Sequence, residues 1–93
     1  MHNQSMKIEF DPEKASINLA KHGVSFEEAA TCLYDENALV MEDVDSEGEN
    51  RWILIGMSTQ PRLLTVVYTL RDPDIIRLIS ARKSTKKEGH YYA

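Results

Sequence analysis

Residues 51–83, RWILIGMSTQPRLLTVVYTLRDPDIIRLISARK, carry the clearest structural signal in this chain. Three runs rich in isoleucine, leucine, valine and threonine follow one another at 52–58, 63–70 and 75–80. Such runs are typical of β-strands. The two connections between them are four residues long and each contains a proline, and loops that short join neighbouring strands only in antiparallel fashion. The stretch therefore predicts a three-stranded antiparallel meander.

The residues before the meander predict a short strand and a helix. Residues 7–10, KIEF, alternate between polar and apolar side chains, as a half-buried strand does. Asp11 and Pro12 then provide an N-cap acceptor and a proline at the first helical position. Because Gly23 is suited to the left-handed residue that ends a helix, this first helix should run to about His22.

A second helix, at residues 26–34, should begin at a capping box. Ser25 offers the N-cap hydroxyl, and the Glu28 carboxylate is expected to accept a hydrogen bond from the Ser25 amide. On the first helix, the spacing places Ala15 and Leu19 on the buried side, with Ile17 and Ala20 as further candidates. Two helices therefore follow one strand before the meander begins.

The remaining segments complete an α+β fold. Residues 38–41 form an apolar run inside an acidic segment, 35–49, which carries seven acids and no base, and they predict an edge strand leading into an acidic turn. Residues 84–92 predict a short C-terminal helix or tail. Residues 1–6 show no periodicity and are interpreted as a disordered start or a cloning remnant. A single domain over 7–93 is expected.

The charge of the chain is divided unequally between its halves. Residues 1–50 hold three lysines and arginines against twelve acids, whereas residues 51–93 hold eight against three. The formal net charge of −4 therefore conceals a basic second half, which can face a phosphate backbone because binding depends on local potential.

Composition excludes several classes of protein. The single cysteine, Cys32, excludes an intramolecular disulfide and is expected in the core. The chain shows no apolar run long enough for a membrane span and no zinc-ligand, P-loop or dinucleotide-binding pattern. These observations predict a cytoplasmic protein without a membrane, a metal or a cofactor. A chain of 93 residues buries a modest core, so oligomerisation is expected.

A basic cluster and a histidine are the first functional candidates. Arg82, Lys83, Lys86 and Lys87 follow the last predicted strand, where side chains from a strand end and a helix start can converge on one phosphate. A solvated surface explains such a run equally well. His22 either stabilises the end of the first helix as a cation or acts as a general acid or base, since histidine exchanges protons near neutral pH.

Two arginines extend the basic surface along the meander. Arg62 lies in a turn, and Arg77 lies within a strand, where it either points to solvent or lines a concave sheet face that holds RNA. In RNA cleavage without a metal ion, the 2′-hydroxyl attacks its own phosphate, which requires a base, an acid and cations. Arginine, lysine and a single histidine can supply all three.

Several segments resemble the BrnT family of toxins. Residues 10–14, FDPEK, and 21–29, KHGVSFEEA, resemble the opening of that family, and residues 79–88, ISARKSTKKE, resemble its C-terminal motif. The resemblance extends over nearly the whole chain from Lys7. Two places differ from the family pattern: residues 60–62 read QPR where a Gly-Arg turn is usual, and the ending EGHY lacks two usual arginines.

The resemblance implies a RelE-like ribonuclease toxin that inhibits translation. It also implies a cognate BrnA-like ribbon-helix-helix antitoxin, which neutralises the toxin and binds operator DNA, so that the toxin reaches DNA only through its partner. RNA, free or on the ribosome, is the implied substrate. A homodimer or a toxin–antitoxin heterotetramer is the implied assembly. The positions carried over from the motifs are Lys14, His22, Arg82 and Lys83.

Two hypotheses of different class follow. The first is a metal-independent endoribonuclease with catalytic candidates His22, Arg62, Arg82 and Lys83. Its RNA-binding candidates are Lys14, Arg77, Lys86 and Lys87. The second is a non-catalytic module, or an inactive toxin homologue, that docks a protein partner through the acidic segment 35–49 or through its sheet.

Overall fold

A computed structural model describes residues 7–44 and 50–92 of the chain. The chain forms five strands, three α-helices and a 3₁₀ turn within these residues, and it is α+β as predicted. In chain order the elements are β1 Lys7–Glu9, α1 Pro12–His22, α2 Phe26–Thr31, the 3₁₀ turn Cys32–Tyr34, β2 Leu39–Glu42, β3 Arg51–Met57, β4 Leu63–Asp72, β5 Ile75–Lys83 and α3 Lys86–Tyr92. The predicted disordered start, and residues 45–49 of the predicted acidic turn, lie outside the described residues.

The five strands form one sheet in the order β1-β5-β4-β3-β2. The antiparallel meander β3-β4-β5 is confirmed, and β2 pairs antiparallel with β3 as an edge strand. The short β1 pairs in parallel with β5, where Lys7 faces Ile75. The last strand is longer than predicted because its ladder with β4 continues to Lys83. Arg82 and Lys83 therefore belong to the strand instead of following it.

The two faces of the sheet carry different side chains. Leu54, Val66 and Ala81 occupy one cross-strand row. They form the core together with Val24, just before α2, and Phe26, its first residue. Side chains alternate along a strand, so their neighbours point to the opposite face, which we term the outer face. The outer face carries three cross-strand rows: Ile55, Thr65 and Arg82; Ile53, Val67 and Ser80; and Arg51, Thr69 and Arg77.

Helix α1 lies along the edge of β5 that β1 leaves uncovered. Its one buried residue is Asn18, whose amide donates to the carbonyls of Ala81 at 2.8 Å and Val24 at 3.0 Å. The Asn18 carbonyl oxygen accepts from the Ala81 amide at 3.2 Å, so this side chain pairs with the strand edge as a neighbouring strand would. The prediction that Leu19, Ile17 and Ala20 are buried is wrong, because all three are exposed, Leu19 to 50% and Ile17 to 60%. A helix that docks through a polar side chain at a strand edge needs no wide apolar stripe.

The predicted ends of α1 are confirmed. The Asp11 carboxylate accepts from the Glu13 amide at 2.9 Å, and Gly23 adopts a left-handed φ of 70° while donating to the Leu19 carbonyl. Glycine adopts this conformation without the steric cost that a side chain brings. These caps fix where α1 ends and therefore where His22 lies.

Candidate functional site

A cleft runs between α1 and the outer face of the sheet. It consists of two cavities of about 200 Å³ and about 230 Å³ that share Lys14 and Ile79 and therefore adjoin. The first cavity is lined by Lys14, Ile17, Asn18, Lys21, His22, Ile79 and Ser80. The second is lined by Lys14, Arg51, Thr69, Arg71, Arg77 and Ile79. We refer to these two cavities together as the cleft.

A bulge in β5 shapes the floor of the cleft. Val67 pairs with Ser80 and Tyr68 pairs with Leu78, which leaves Ile79 without an opposite residue on β4. A bulge of this kind bends a strand and changes the direction of its side chains. Ile79 consequently lines both cavities.

Helical spacing places the α1 residues of the cleft on one side of the helix. Lys14, Asn18 and His22 are four residues apart, and Lys21 follows Lys14 by seven, so that all four lie on one face. Asn18, Lys21 and His22 all line the first cavity. Asn18 thus attaches the helix to the sheet, and Lys14, Lys21 and His22 on the same side of the helix line the cleft.

The cleft contains more positive charge than the neighbouring carboxylates neutralise. One Glu9 oxygen accepts from Arg77 at 2.9 Å and from Arg71 at 3.3 Å, so a single carboxylate serves two guanidinium groups. Neither Lys14 nor Lys21 makes an ion pair with any of the described residues. Such an arrangement attracts anions, and phosphate in particular, because arginine presents several donors to its oxygens.

His22 is half-buried in the last turn of α1. Across residues 7–44 and 50–92, its ring has no hydrogen-bond or ion-pair partner. Both ring nitrogens therefore have no competing protein partner there, and a ligand in the first cavity can reach the imidazole. An imidazole beside two lysines can exchange a proton with a ligand whose negative charge the lysines hold.

Arg62 forms a clamp with Glu28 instead of lining the cleft. Its guanidinium donates to the two Glu28 oxygens at 2.8 and 2.6 Å and to the Gly23 carbonyl at 3.0 Å. Ser58 donates to the same carboxylate at 2.7 Å, and the Glu28 side chain is only 3% exposed. The hydrogen bonds from Arg62 hold the pKa of Glu28 below its usual value despite burial. Arg62 therefore ties the β3–β4 turn to the start of α2.

The capping box predicted at Ser25 is half right. The Ser25 hydroxyl accepts from the Glu28 amide at 3.0 Å, but the Glu28 carboxylate turns away from the N-cap toward Arg62 and Ser58. A buried carboxylate gains more from a guanidinium than from an amide, because the charged donor offsets its desolvation.

Arg82 forms a second clamp at the end of the outer face. Its two terminal nitrogens donate to the two Glu88 oxygens at 2.8 Å each, and the Thr65 hydroxyl donates to Glu88 at 2.9 Å. Glu88 and Thr85 also complete a reciprocal capping box at the start of α3. The bond from Arg82 is the main cause that lowers the pKa of Glu88 to about 2, while Glu88 raises the pKa of Arg82. Arg82 thereby fixes α3 to the sheet.

Comparison with known proteins identifies the family. Residues 10–88 match the sequence model of a family described as "Ribonuclease toxin, BrnT, of type II toxin-antitoxin system". The chain belongs to the BrnT family. The crystal structure of the Brucella abortus ribonuclease toxin, BrnT, matches with a TM-score of 0.68 and 25% identity, over 88% of this chain and 100% of that one. No curated protein sequence matches the chain.

Membership of the BrnT family makes this chain a ribonuclease toxin of a type II toxin–antitoxin system, and it implies an antitoxin partner. The predicted BrnT resemblance and α+β fold are confirmed. Within the described residues, no helix is both long and apolar enough to cross a membrane. The same residues contain no group of three or more histidines, cysteines or acids placed to hold a metal ion.

The predicted site residues of this BrnT chain occupy three places. The cleft contains His22, Lys14 and Arg77. The clamps contain Arg62 and Arg82. The three remaining lysines are exposed at the end of β5 and on α3, outside the cleft lining: Lys83, Lys86 and Lys87. The role of each of these residues stays a prediction.

Several residues of the cleft were not predicted from the sequence. Arg51, Arg71 and Lys21 line it, although none was a candidate. Arg51 lies opposite Thr69, which lies opposite Arg77, so the three form one row across the sheet. The sequence of the two hairpins predicts such a row only if the register of their strands is known. The sequence did not indicate that Glu28 engages Arg62, since the two residues lie 34 positions apart.

Proposed function

We propose that this toxin cleaves RNA in the cleft, without a metal ion, and thereby inhibits translation. The observation that carries the proposal is the shared lining of the first cavity: His22 lies there with Lys14 and Lys21. A proton-transferring group beside uncompensated cations is what phosphodiester cleavage by an internal nucleophile requires.

The proposed reaction uses the 2′-hydroxyl of the RNA as nucleophile. Its oxygen bonds to the adjacent phosphorus, the bond from phosphorus to the 5′-oxygen breaks, and a 2′,3′-cyclic phosphate and a 5′-hydroxyl result. One proton leaves the attacking hydroxyl and one reaches the departing oxygen. His22 is proposed to transfer one of these protons, while water serves as the other carrier. Lys14 and Lys21 stabilise the negative charge that develops on the phosphate oxygens.

The remaining basic residues are proposed to bind RNA outside the scissile phosphate. Arg77 and Arg71 would contact the neighbouring phosphate by exchanging the exposed Glu9 carboxylate for it. Lys83, Lys86 and Lys87 would extend the path of the strand along the exposed end of β5 and α3. Arg62 and Arg82 are proposed to support the fold around the site, since each already engages both oxygens of a carboxylate.

The partners proposed for this chain follow from its family. A BrnA-like ribbon-helix-helix antitoxin would neutralise it and carry it to operator DNA, in a heterotetramer or with a toxin homodimer. The substrate would be RNA in the cytoplasm, free or on the ribosome. The positive charge of the cleft supports RNA as one of these partners.

Cleavage of a defined RNA tests the proposal. Purified toxin would be mixed with a synthetic RNA, with and without EDTA and with and without ribosomes, and the product ends would be mapped. We expect cleavage in EDTA that yields 5′-hydroxyl ends. Loss of cleavage in EDTA, with recovery on adding a divalent cation, would contradict metal independence. Intact RNA under every condition would favour the non-catalytic binding module instead.

A further inference from the structure

Strand β2 forms the edge of the sheet opposite β1 and pairs with β3, which carries Arg51 of the second cavity. In the order β1-β5-β4-β3-β2, it is separated from β5 by two strands. Among residues 7–44 and 50–92, no strand pairs with its outer edge. Apolar side chains are exposed along it, since Val40 is 50% and Met41 is 40% exposed, and Val44 just beyond it is 85% exposed.

The hydrogen-bond pattern shows which backbone groups of β2 face outward. The Asp43 amide donates to the Arg51 carbonyl at 2.8 Å, and Glu42 lies opposite Trp52 in the register. Hydrogen-bonded and non-hydrogen-bonded pairs alternate along an antiparallel ladder. Met41 therefore points its N–H and C=O toward β3, whereas Val40 and Glu42 point theirs away from the sheet. An added strand would find these two residues ready to pair.

Charge decides what kind of strand can be added. Residues 35–44 contain four acids and no lysine or arginine, and Glu42 lies within β2 itself. A second copy of this chain paired edge to edge would bring the two Glu42 regions together, and like charges in facing positions are destabilising. A basic segment would instead be attracted. The edge thus selects for a partner of opposite charge.

We propose that the outer edge of β2 is a docking site for the antitoxin, which adds an extended, lysine- and arginine-rich segment as a sixth strand. Main-chain hydrogen bonds to Val40 and Glu42 would supply affinity, and apolar side chains of the segment would cover Val40 or Met41. This inference rests on the toxin–antitoxin function. The proposed cleavage residues His22, Lys14 and Lys21 lie on α1 beside β5, at the other side of the sheet, so the edge can anchor the antitoxin without occupying the site of RNA cleavage.

The test compares substitutions that differ only in whether they block the outer edge. Val40→Pro removes the outward N–H but keeps every hydrogen bond from β2 to β3, and proline is tolerated where an edge N–H faces solvent. Val40→Thr is the matched control, because it keeps that N–H and the β-branched shape. With the antitoxin encoded beside this chain as the probe, calorimetry should show Kd raised at least about tenfold by Val40→Pro and changed less than about threefold by Val40→Thr.

A second pair of variants tests the charge argument and covers the case in which Val40→Pro disturbs the fold. Glu42→Lys should weaken antitoxin binding about tenfold and flatten its salt dependence. Glu27→Lys, which makes the same change on the exposed side of α2, should leave binding unchanged. Thermal unfolding of each variant would establish that it is folded before its Kd is compared.

Wild-type affinity in a folded Val40→Pro variant and in Glu42→Lys would overturn the proposal. A toxin that turns from dimer to monomer with Val40→Pro, while it keeps its antitoxin affinity, would show that the edge joins two toxins and would also overturn it. RNA cleavage by the free toxin is measured separately and should be unchanged in all four variants. Absence of cleavage by the wild type would contradict the proposed function and leave the binding comparison intact.

Discussion

The cleft and the two clamps contain the same pairing of arginine with carboxylate, but they differ in how the carboxylate is held. Glu9 in the cleft region is 40% exposed and serves two arginines, whereas Glu88 is 20% exposed and Glu28 only 3%, and each serves one. An exposed ion pair contributes little to folding stability, and its arginine readily exchanges the carboxylate for another anion. Breaking a buried ion pair lowers the stability strongly. The burial of the acid, more than that of the arginine, therefore separates a cation available to RNA from a structural one.

The largest effect is expected from removing the imidazole in the cleft. His22→Ala should lower the rate of RNA cleavage by about 10² to 10⁴, the range typical of a positioned acid or base. His90→Ala is the matched control, because His90 is exposed on α3 outside the cleft lining and its loss should leave the rate unchanged. Single-turnover cleavage of one labelled RNA measures both. Equal loss in the two variants would remove the cleft from the mechanism.

A smaller effect is expected from removing cations of the cleft. Lys14→Ala with Arg77→Ala should lower kcat/KM about ten- to a hundredfold, since two charge-assisted phosphate contacts are lost. Lys86→Ala with Lys87→Ala removes the same charge from α3 and should cost less than about threefold. Steady-state cleavage at two salt concentrations provides the comparison. A larger loss from the α3 pair would place the main RNA contact outside the cleft.

Replacing Glu28 in the clamp should lower the free energy of unfolding more than replacing Glu9 beside the cleft. Glu28→Ala leaves the Ser58 hydroxyl without its buried acceptor and releases Arg62, which should lower the free energy of unfolding by about 1–3 kcal/mol. Glu9→Gln should cost less than about 1 kcal/mol and should strengthen RNA binding. Urea unfolding and RNA titration measure these quantities. A greater loss of stability from Glu9→Gln would reverse the assignment of the two regions.

The smallest effect is expected on stability at acid pH, through the clamp between Arg82 and Glu88. The folded pKa of Glu88, about 2, lies below its ordinary value of 4.5, so the stability it contributes is present above about pH 4.5 and is lost as the pH falls toward 2. In Arg82→Ala the carboxyl should titrate closer to 4.5, because the main cause of the shift is removed. The carbon chemical shift of the Glu88 carboxyl group, followed against pH, measures both values. Titration of the wild-type group near 4.5 would show that α3 is not clamped.

Local signals in the sequence were sufficient for most of the fold. Two proline-containing connections indicated the meander, although β4 continues to Asp72 and leaves only residues 73–74 before β5. Asp11, Pro12 and Gly23 specified both ends of α1. Each of these signals acts within a few residues of the structure it determines. The buried side of α1 was wrong for a different reason: Asn18 docks on Ala81, 63 residues away, and a helical pattern does not reveal that a strand edge is its partner.

The candidate site was less accessible to sequence analysis. His22, Lys14 and Arg77 do meet at the cleft, but a run of basic residues does not show which of them a carboxylate will engage. Arg82 was grouped with Lys83 by proximity, and the fold instead binds it to Glu88. Such pairings depend on three-dimensional packing, since the deciding acid can lie anywhere in the chain.

The most direct test of the central claim is to locate bound RNA on the toxin. An RNA with a 2′-O-methyl group at the cleavage position cannot attack itself, so its complex can be followed by amide chemical shifts. We expect the largest changes at the cleft, in His22, Thr69, Arg77 and Ile79, with small changes in α3. Changes confined to Lys83 and α3, with His22 unaffected, would contradict the claim that the cleft holds RNA.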